Sequence, residues 1–319
     1  MIREYRSITE VSGLHLTLTR VQDVSCGELG EVVLANGQVI ACQVLEADGG
    51  QVRVSLFAPP FGISLADSKV RFFGYGLELP LSEDLLGRAF HTLGAPIDGG
   101  PAILPEAYAN VNGLPVNPLA RIESETVLQT GIPAIDDPAP LHLGKKRTLL
   151  ISPNESAAEC AAQIAQGASI SGKSGNLTVI IAAMGMPFAE RESLIQTLRY
   201  DGLTPRTTLF ASLPEDLPIV RLTTPCTAMT AAEYFAFEKE HDVLLILADW
   251  AANADAFAEA MNSVTAGNWP LPGMGGYPPA HPYADFGALL ERIGCRKGPG
   301  GSITAITVLT EDREAFDGI

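Results

Sequence analysis

The chain has 319 residues, 46% hydrophobic and 18% charged, enough for a sizeable core and for more than one domain. A formal charge of −16 at pH 7 argues against binding nucleic acid or anionic lipid, and a small anionic ligand would need a local positive pocket. The five cysteines, Cys26, Cys42, Cys160, Cys226 and Cys295, form no C-x-x-C pair. They fit a reducing cytosol, argue against a disulfide framework or zinc site, and read as buried hydrophobes or surface thiols.

The start, MIREYRSITEVSG, has no signal-peptide pattern. LTVIIAAMGM and DVLLILADW are about half the length of a bilayer span and read as buried strands, so no direct membrane insertion is expected. Residues 14 to 79 predict antiparallel strands: LHLTLTRV alternates, and Asn36-Gly37 and Asp48-Gly49-Gly50 are hairpin signals. Short strands with turns between them predict a small closed barrel. After Leu79, LPLSEDLLGRAFHTLGAP predicts a short helix, and residues 98 to 125 a linker laid over a surface. From about residue 147, strands RTLLI, NLTVIIAAM, TTLFASL, DVLLILAD and SITAITVL alternate with helices SAAECAAQIAQGA, FAERESLIQTLRYDG, TAMTAAEYFAFEKE and DAFAEAMNS. That order predicts an α/β domain with a parallel sheet covered on both faces. The expected division is 1–78, 79–146 and 147–319.

Gly167–Ser174, GASISGKS, matches the phosphate-loop pattern G-x-x-x-x-G-K-[ST]. A phosphate loop needs a strand before it and a helix after it, so that helix N–H groups and the positive dipole end meet the phosphates. Here the order is reversed. Gly167 reads as a helix stop, SGKSGN as a polar turn and Lys173 as solvated. The position suited to phosphate is one strand earlier, in LLISPNES. Ser152 is the expected N-cap there, Pro153 the first helical residue, and Glu155 the far half of a capping box. With Asn154 these residues mark a weak, degenerate nucleotide position plugged by negative charge. Asp249, ending strand VLLILA, stands where an aspartate can hold magnesium through water. An ordinary helix cap or loop anchor is weighed above that role, because the neighbouring junction lacks a phosphate loop. His15, His91, His142, His241 and His281 lack metal-ligand spacing, no G-x-S-x-G elbow is present, and Arg191-Glu192 and Glu238-Lys239-Glu240 read as solvated helix faces. No catalytic residue and no metal ligand is assigned.

The segment LPLSEDLLGRAFHTLGAPIDGGPAILPEAYANVNGLPVNPLARIESETVLQTGIPAID, residues 79 to 136, strongly resembles the B subunit of V-type and archaeal A-type rotary ATPases. REYRSITEVSG resembles the start of that subunit. MTAAEYFAFEKEHDVLLILAD, with Met229 in place of a leucine, is similar to its Walker-B region, and GYPPAHPYADFGALLERIGCRKGPGGSIT to a later segment. The resemblance covers nearly the whole chain. It implies an N-terminal antiparallel β-barrel followed by a RecA-like parallel-sheet domain. It also implies a non-catalytic, regulatory subunit alternating with catalytic A subunits in a six-membered ring, in contact with central and peripheral stalk subunits and supporting proton or sodium transport. Such a subunit is cytoplasmic and peripheral to the membrane, has no catalysis of its own, and meets ATP or ADP with magnesium only at a degenerate inter-subunit site. The chain departs from the family where Ala258 replaces an arginine and where Met274 and Gly275 replace an arginine pair. It also ends in TVLTEDREAFDGI, where the family continues into an arginine finger and a helical bundle. The alternatives are a stand-alone degenerate pseudo-ATPase, favoured by those departures, and an active ATPase using GASISGKS.

Overall fold

The computed structural model describes residues 2–172, 177–200, 204–252, 254–256, 259 and 287–310. The chain forms two compact units, one built mainly on Met1–Glu78 and one running from Leu79 onward.

The first unit is a seven-stranded antiparallel sheet of β1 (Arg3–Tyr5), β2 (Ile8–Ser12), β3 (His15–Thr19), β4 (Glu28–Val33), β5 (Val39–Asp48), β6 (Gln51–Leu56) and β7 (Lys69–Gly76), in the order β1-β7-β4-β5-β6-β3-β2. Both expected hairpins form. Gly37 takes φ +85° between β4 and β5, and Gly49 and Gly50 take φ +53° and +82° between β5 and β6. In the second turn, positive φ at both central residues matches the twist of the flanking strands. Along β4 alternate residues are buried, and Leu16, Leu18, Val32, Val44, Val54, Val70 and Phe72 meet in one apolar cluster. Register shifts at Ile8/Glu10, Glu28/Gly30 and Val44/Glu46 bend the sheet. The expected closed barrel is a half-barrel: among the described residues no ladder joins the edge strands β1 and β2, which are linked only by Arg6-Ser7.

The second unit is built on six parallel strands: β8 (Ala89–His91), β9 (Lys146–Ile151), β10 (Leu177–Ala183), β11 (Thr207–Ala211), β12 (Asp242–Ala248) and β13 (Ser302–Thr310). Their order is β9-β13-β12-β10-β11-β8. Every residue of β10 is buried, as are six of the seven in β12. A parallel strand with helices on both faces must be apolar on both sides, which is why these read as unbroken apolar runs. The main helices are α1 (Ala157–Gly167), α2 (Phe188–Tyr200) and α3 (Pro218–Glu233). α3 begins before the predicted segment and runs through Pro225, with Thr227 and Thr230 hydroxyls donating to carbonyls one turn back. A π-helical turn at Tyr234–Glu238 follows it. The predicted short helix after Leu79 is a single 3₁₀ turn at Glu83–Leu85, capped by Ser82. Most of predicted helix DAFAEAMNS lies outside the described residues.

Segment 98–125 is tied down along its length. Arg88 binds the Asp98 carboxylate through two nitrogens, and the backbone N–H groups of Ala89 and Gly100 donate to it at 3.2 and 2.9 Å. Arg199 donates to the Asp98 carbonyl at 2.8 Å. Burial raises the Asp98 pKa, but the Arg88 bond and the two N–H donors outweigh it and hold the carboxyl down to about 2, against an ordinary 3.8. A depressed folded-state pKa stabilises the fold above the unfolded value, and that stabilisation is lost as pH falls through the folded one. Asp98→Asn should therefore cost about 2 kcal/mol at pH 7. Urea midpoints of the two proteins should converge as pH is lowered from 4 toward 2.

Candidate functional site

The C-terminal ends of the parallel strands, where open α/β sheets hold ligands, carry the predicted residues. β9 runs into Ser152-Pro153-Asn154-Glu155. Three of the four predicted residues share one turn, closed by the Glu155 N–H donating to the Ser152 carbonyl at 2.9 Å. The Glu155 carboxylate reaches back to accept from the Ser152 N–H at 3.0 Å. Half of the predicted capping box thus forms, but outside the helix. Ser152 is not the N-cap: α1 opens at Ala157 and its cap is Ser156, whose hydroxyl accepts from the Glu159 N–H at 3.4 Å. The capping-box reading at Ser152 is thus displaced by four residues, while the helical segment SAAECAAQIAQGA begins at Ser156 as expected. Asn154 is exposed on that turn.

Asp249 follows β12 with φ +61°, a conformation aspartate adopts more readily than most residues. Its carboxylate accepts from the Ala252 N–H at 3.4 Å, anchoring the next segment. Burial raises its pKa, the Ala252 N–H opposes this, and Asp255 and Glu190 raise it further. Glu190, in the first turn of α2, accepts from the Ser156 hydroxyl at 3.0 Å. Its charge thus acts on both the α1 start and Asp249. Among the described residues no group of His, Cys, Asp or Glu is arranged to hold a metal ion.

A nucleotide polyphosphate does not fit these residues. The Ser152 and Glu159 N–H groups are already bonded to Glu155 and Ser156, and Glu155, Glu159 and Glu190 surround the helix start with negative charge. Phosphate favours a helix N-terminus because N–H donors and positive potential are free there; here two of those donors are taken and three carboxylates stand beside the helix start.

Gly167 is the last residue of α1, and a Cβ on it would collide with the Thr130 carbonyl oxygen. Gly172 has φ +75° in the turn after a short strand, Ser169–Ile170, which pairs with Val127–Gln129. Both glycines of GASISGKS thus have structural causes, and the segment follows a helix. Lys173 and Ser174 lie outside the described residues, as do Ala258, Met274 and Gly275.

Two sequence readings are corrected. Arg191 is buried, stacked 4.8 Å over the Phe188 ring and bonded to Glu192, and its Nε has no hydrogen-bond partner among the described residues. Lys239 is bound to Glu83 and Glu106 at 2.8 and 2.9 Å and sits over the Tyr234 ring. Also unforeseen at this edge of the sheet is the His91–Asp216 pair at 3.3 Å.

The architecture agrees with one comparison. The model of the ATP synthase alpha/beta family, nucleotide-binding domain, matches residues 131–318, and so the chain belongs to the ATP synthase alpha/beta family.

Proposed function

We propose that this chain is a non-catalytic B-type subunit of a V/A-type rotary ATPase, structural and regulatory in a ring with catalytic A-type subunits. Family membership supports a rotary ATPase-type subunit. The observation that favours the non-catalytic role is the Ser152–Glu155 turn, which carries a carboxylate where a catalytic relative needs free N–H donors and a lysine. On this reading Ser152, Asn154, Glu155 and Asp249 mark a degenerate nucleotide position, and ATP hydrolysis belongs to the neighbouring subunit. Residues 1–78 form the barrel part, 79–146 the connection and 147–319 the RecA-like part. Stalk subunits are further partners, and the subunit supports proton or sodium transport without touching the ion. Its place is peripheral to the membrane on the cytoplasmic side; among the described residues no helix is long and apolar enough to cross one.

The test is the solution mass of the chain co-expressed with the catalytic subunit from its own genome, by light scattering behind gel filtration. The expected result is a three-plus-three ring. Two separate peaks would overturn ring membership and leave a stand-alone pseudo-ATPase module.

A further inference from the structure

We infer that Glu155 is an internal occupant of the anion seat at the end of β9, so that this family member rejects nucleotide phosphate at the place where the fold would bind it. The seat is the strand-to-helix turn, whose N–H donors and helix dipole attract negative charge. Glu155 meets part of that attraction from within the chain, at the strand end of the turn. Its carboxylate takes the Ser152 N–H at 3.0 Å, while its own N–H closes the turn onto the Ser152 carbonyl. An incoming phosphate would have to displace a carboxylate tethered three residues away. A tethered group wins such a competition because it has already given up its translational freedom.

The neighbours reinforce the exclusion. The Ser156 hydroxyl is engaged on both sides, accepting from the Glu159 N–H and donating to Glu190. Glu159 and Glu190 also line the cleft of about 200 Å³ between α1 and α2, in which Ser156 takes part and no basic residue does. Any anion approaching from that side meets two further carboxylates. The rejection is a property of the isolated chain and does not depend on ring membership.

The experiment titrates the purified chain, and its Glu155→Ala and Glu155→Gln variants, with magnesium ATP and with inorganic pyrophosphate. Binding is followed by calorimetry and by the backbone amide resonance of Ser152. The wild-type chain should show no saturable binding and no shift at Ser152. Glu155→Ala frees the N–H and removes one charge, and should bind pyrophosphate at least about tenfold more tightly, with a shift at Ser152. Glu155→Gln keeps an acceptor for the Ser152 N–H and should fall between the two. Saturable wild-type binding that moves the Ser152 resonance would overturn the inference. So would a Glu155→Ala protein that folds, by circular dichroism, but gains no affinity. Neither result touches the ring assembly test.

Discussion

Replacing Gly167 with alanine is expected to destabilise the second unit by about 2 kcal/mol or more, the upper range for forcing a methyl group into a packed site. Lys173→Ala should leave both stability and nucleotide affinity unchanged. The two substitutions lie six residues apart in one motif, and they separate its two readings. In a working phosphate loop the lysine reaches the phosphates and its loss abolishes binding. In this chain the glycine is needed because a Cβ would run into the Thr130 carbonyl oxygen and come within 3.0 Å of the Gly131 Cα. Neither neighbour can yield cheaply: both belong to backbone, and the Asp136 carboxylate holds the Thr130 and Gly131 N–H groups at about 3.0 Å. The measurements are urea unfolding followed by circular dichroism, and an ATP titration of each folded variant. An ATP affinity lost with Lys173 would reinstate the motif as a phosphate loop.

The parallel sheet was legible because its strands are apolar on both faces, as in LTVIIAA and DVLLILA, and no solvent-facing strand reads that way. The hairpins were legible from Asn36-Gly37 and Gly49-Gly50, where positive φ leaves a chemical trace. β8 escaped, since three residues between Gly87 and Pro96 are too few to show a period; only their pairing with β11 makes them a strand. The helical run of α1 was legible from Ser156 onward, but its capping box was assigned one box too early, at Ser152. Ser152-Pro153-Asn154-Glu155 and Ser156-Ala157-Ala158-Glu159 both carry a serine followed three residues later by a glutamate. Local sequence does not rank two such boxes; the turn after β9 takes the first and the helix the second.

At the site, charge was legible and burial was not. The acidic residue of the turn was visible in ISPNES alone. The burial of Arg191 was not, because it depends on where α2 rests at the sheet edge and on stacking against Phe188, three residues earlier. The ion pairs of Lys239 were not legible either: Glu238 and Glu240 are exposed as read, but the partners of Lys239, Glu83 and Glu106, lie more than 130 residues away in the chain. Long-range contacts leave no periodic trace in a sequence, so the solvated reading fails at a packed position such as Arg191.

Arg292→Ala is expected to have the largest effect on stability of any single substitution considered, about 3–5 kcal/mol, the cost of breaking a buried ion pair from one side. Arg292 is 3% exposed. Its Nε and Nη2 bind the two Glu233 oxygens at 3.0 and 2.7 Å, its Nη1 donates to the Val111 carbonyl at 2.9 Å, and its Nη2 also donates to the Thr230 hydroxyl at 3.0 Å. One guanidinium thus fastens the end of α3 to the connecting segment. Alanine would leave a carboxylate and a carbonyl without their donor. Arg292→Lys should recover little, since a single ammonium cannot reproduce the forked pair and reach Val111 as well. Gly113 makes the guanidinium's position possible: a Cβ there would come within 2.5 Å of Nη2, so Gly113→Ala should mimic part of the loss. The thermal midpoint of Arg292→Ala should fall by roughly 10 °C for a unit of this size. A fall of only a degree or two would show that the pair is not a structural tie. The segment it holds also presents Leu104, Tyr108, Leu114 and Leu119, all largely exposed. If that segment meets a neighbouring subunit, Arg292→Ala should weaken ring assembly at temperatures where the chain itself is still folded, and mixing the variant with the catalytic subunit below its midpoint separates that effect from global unfolding.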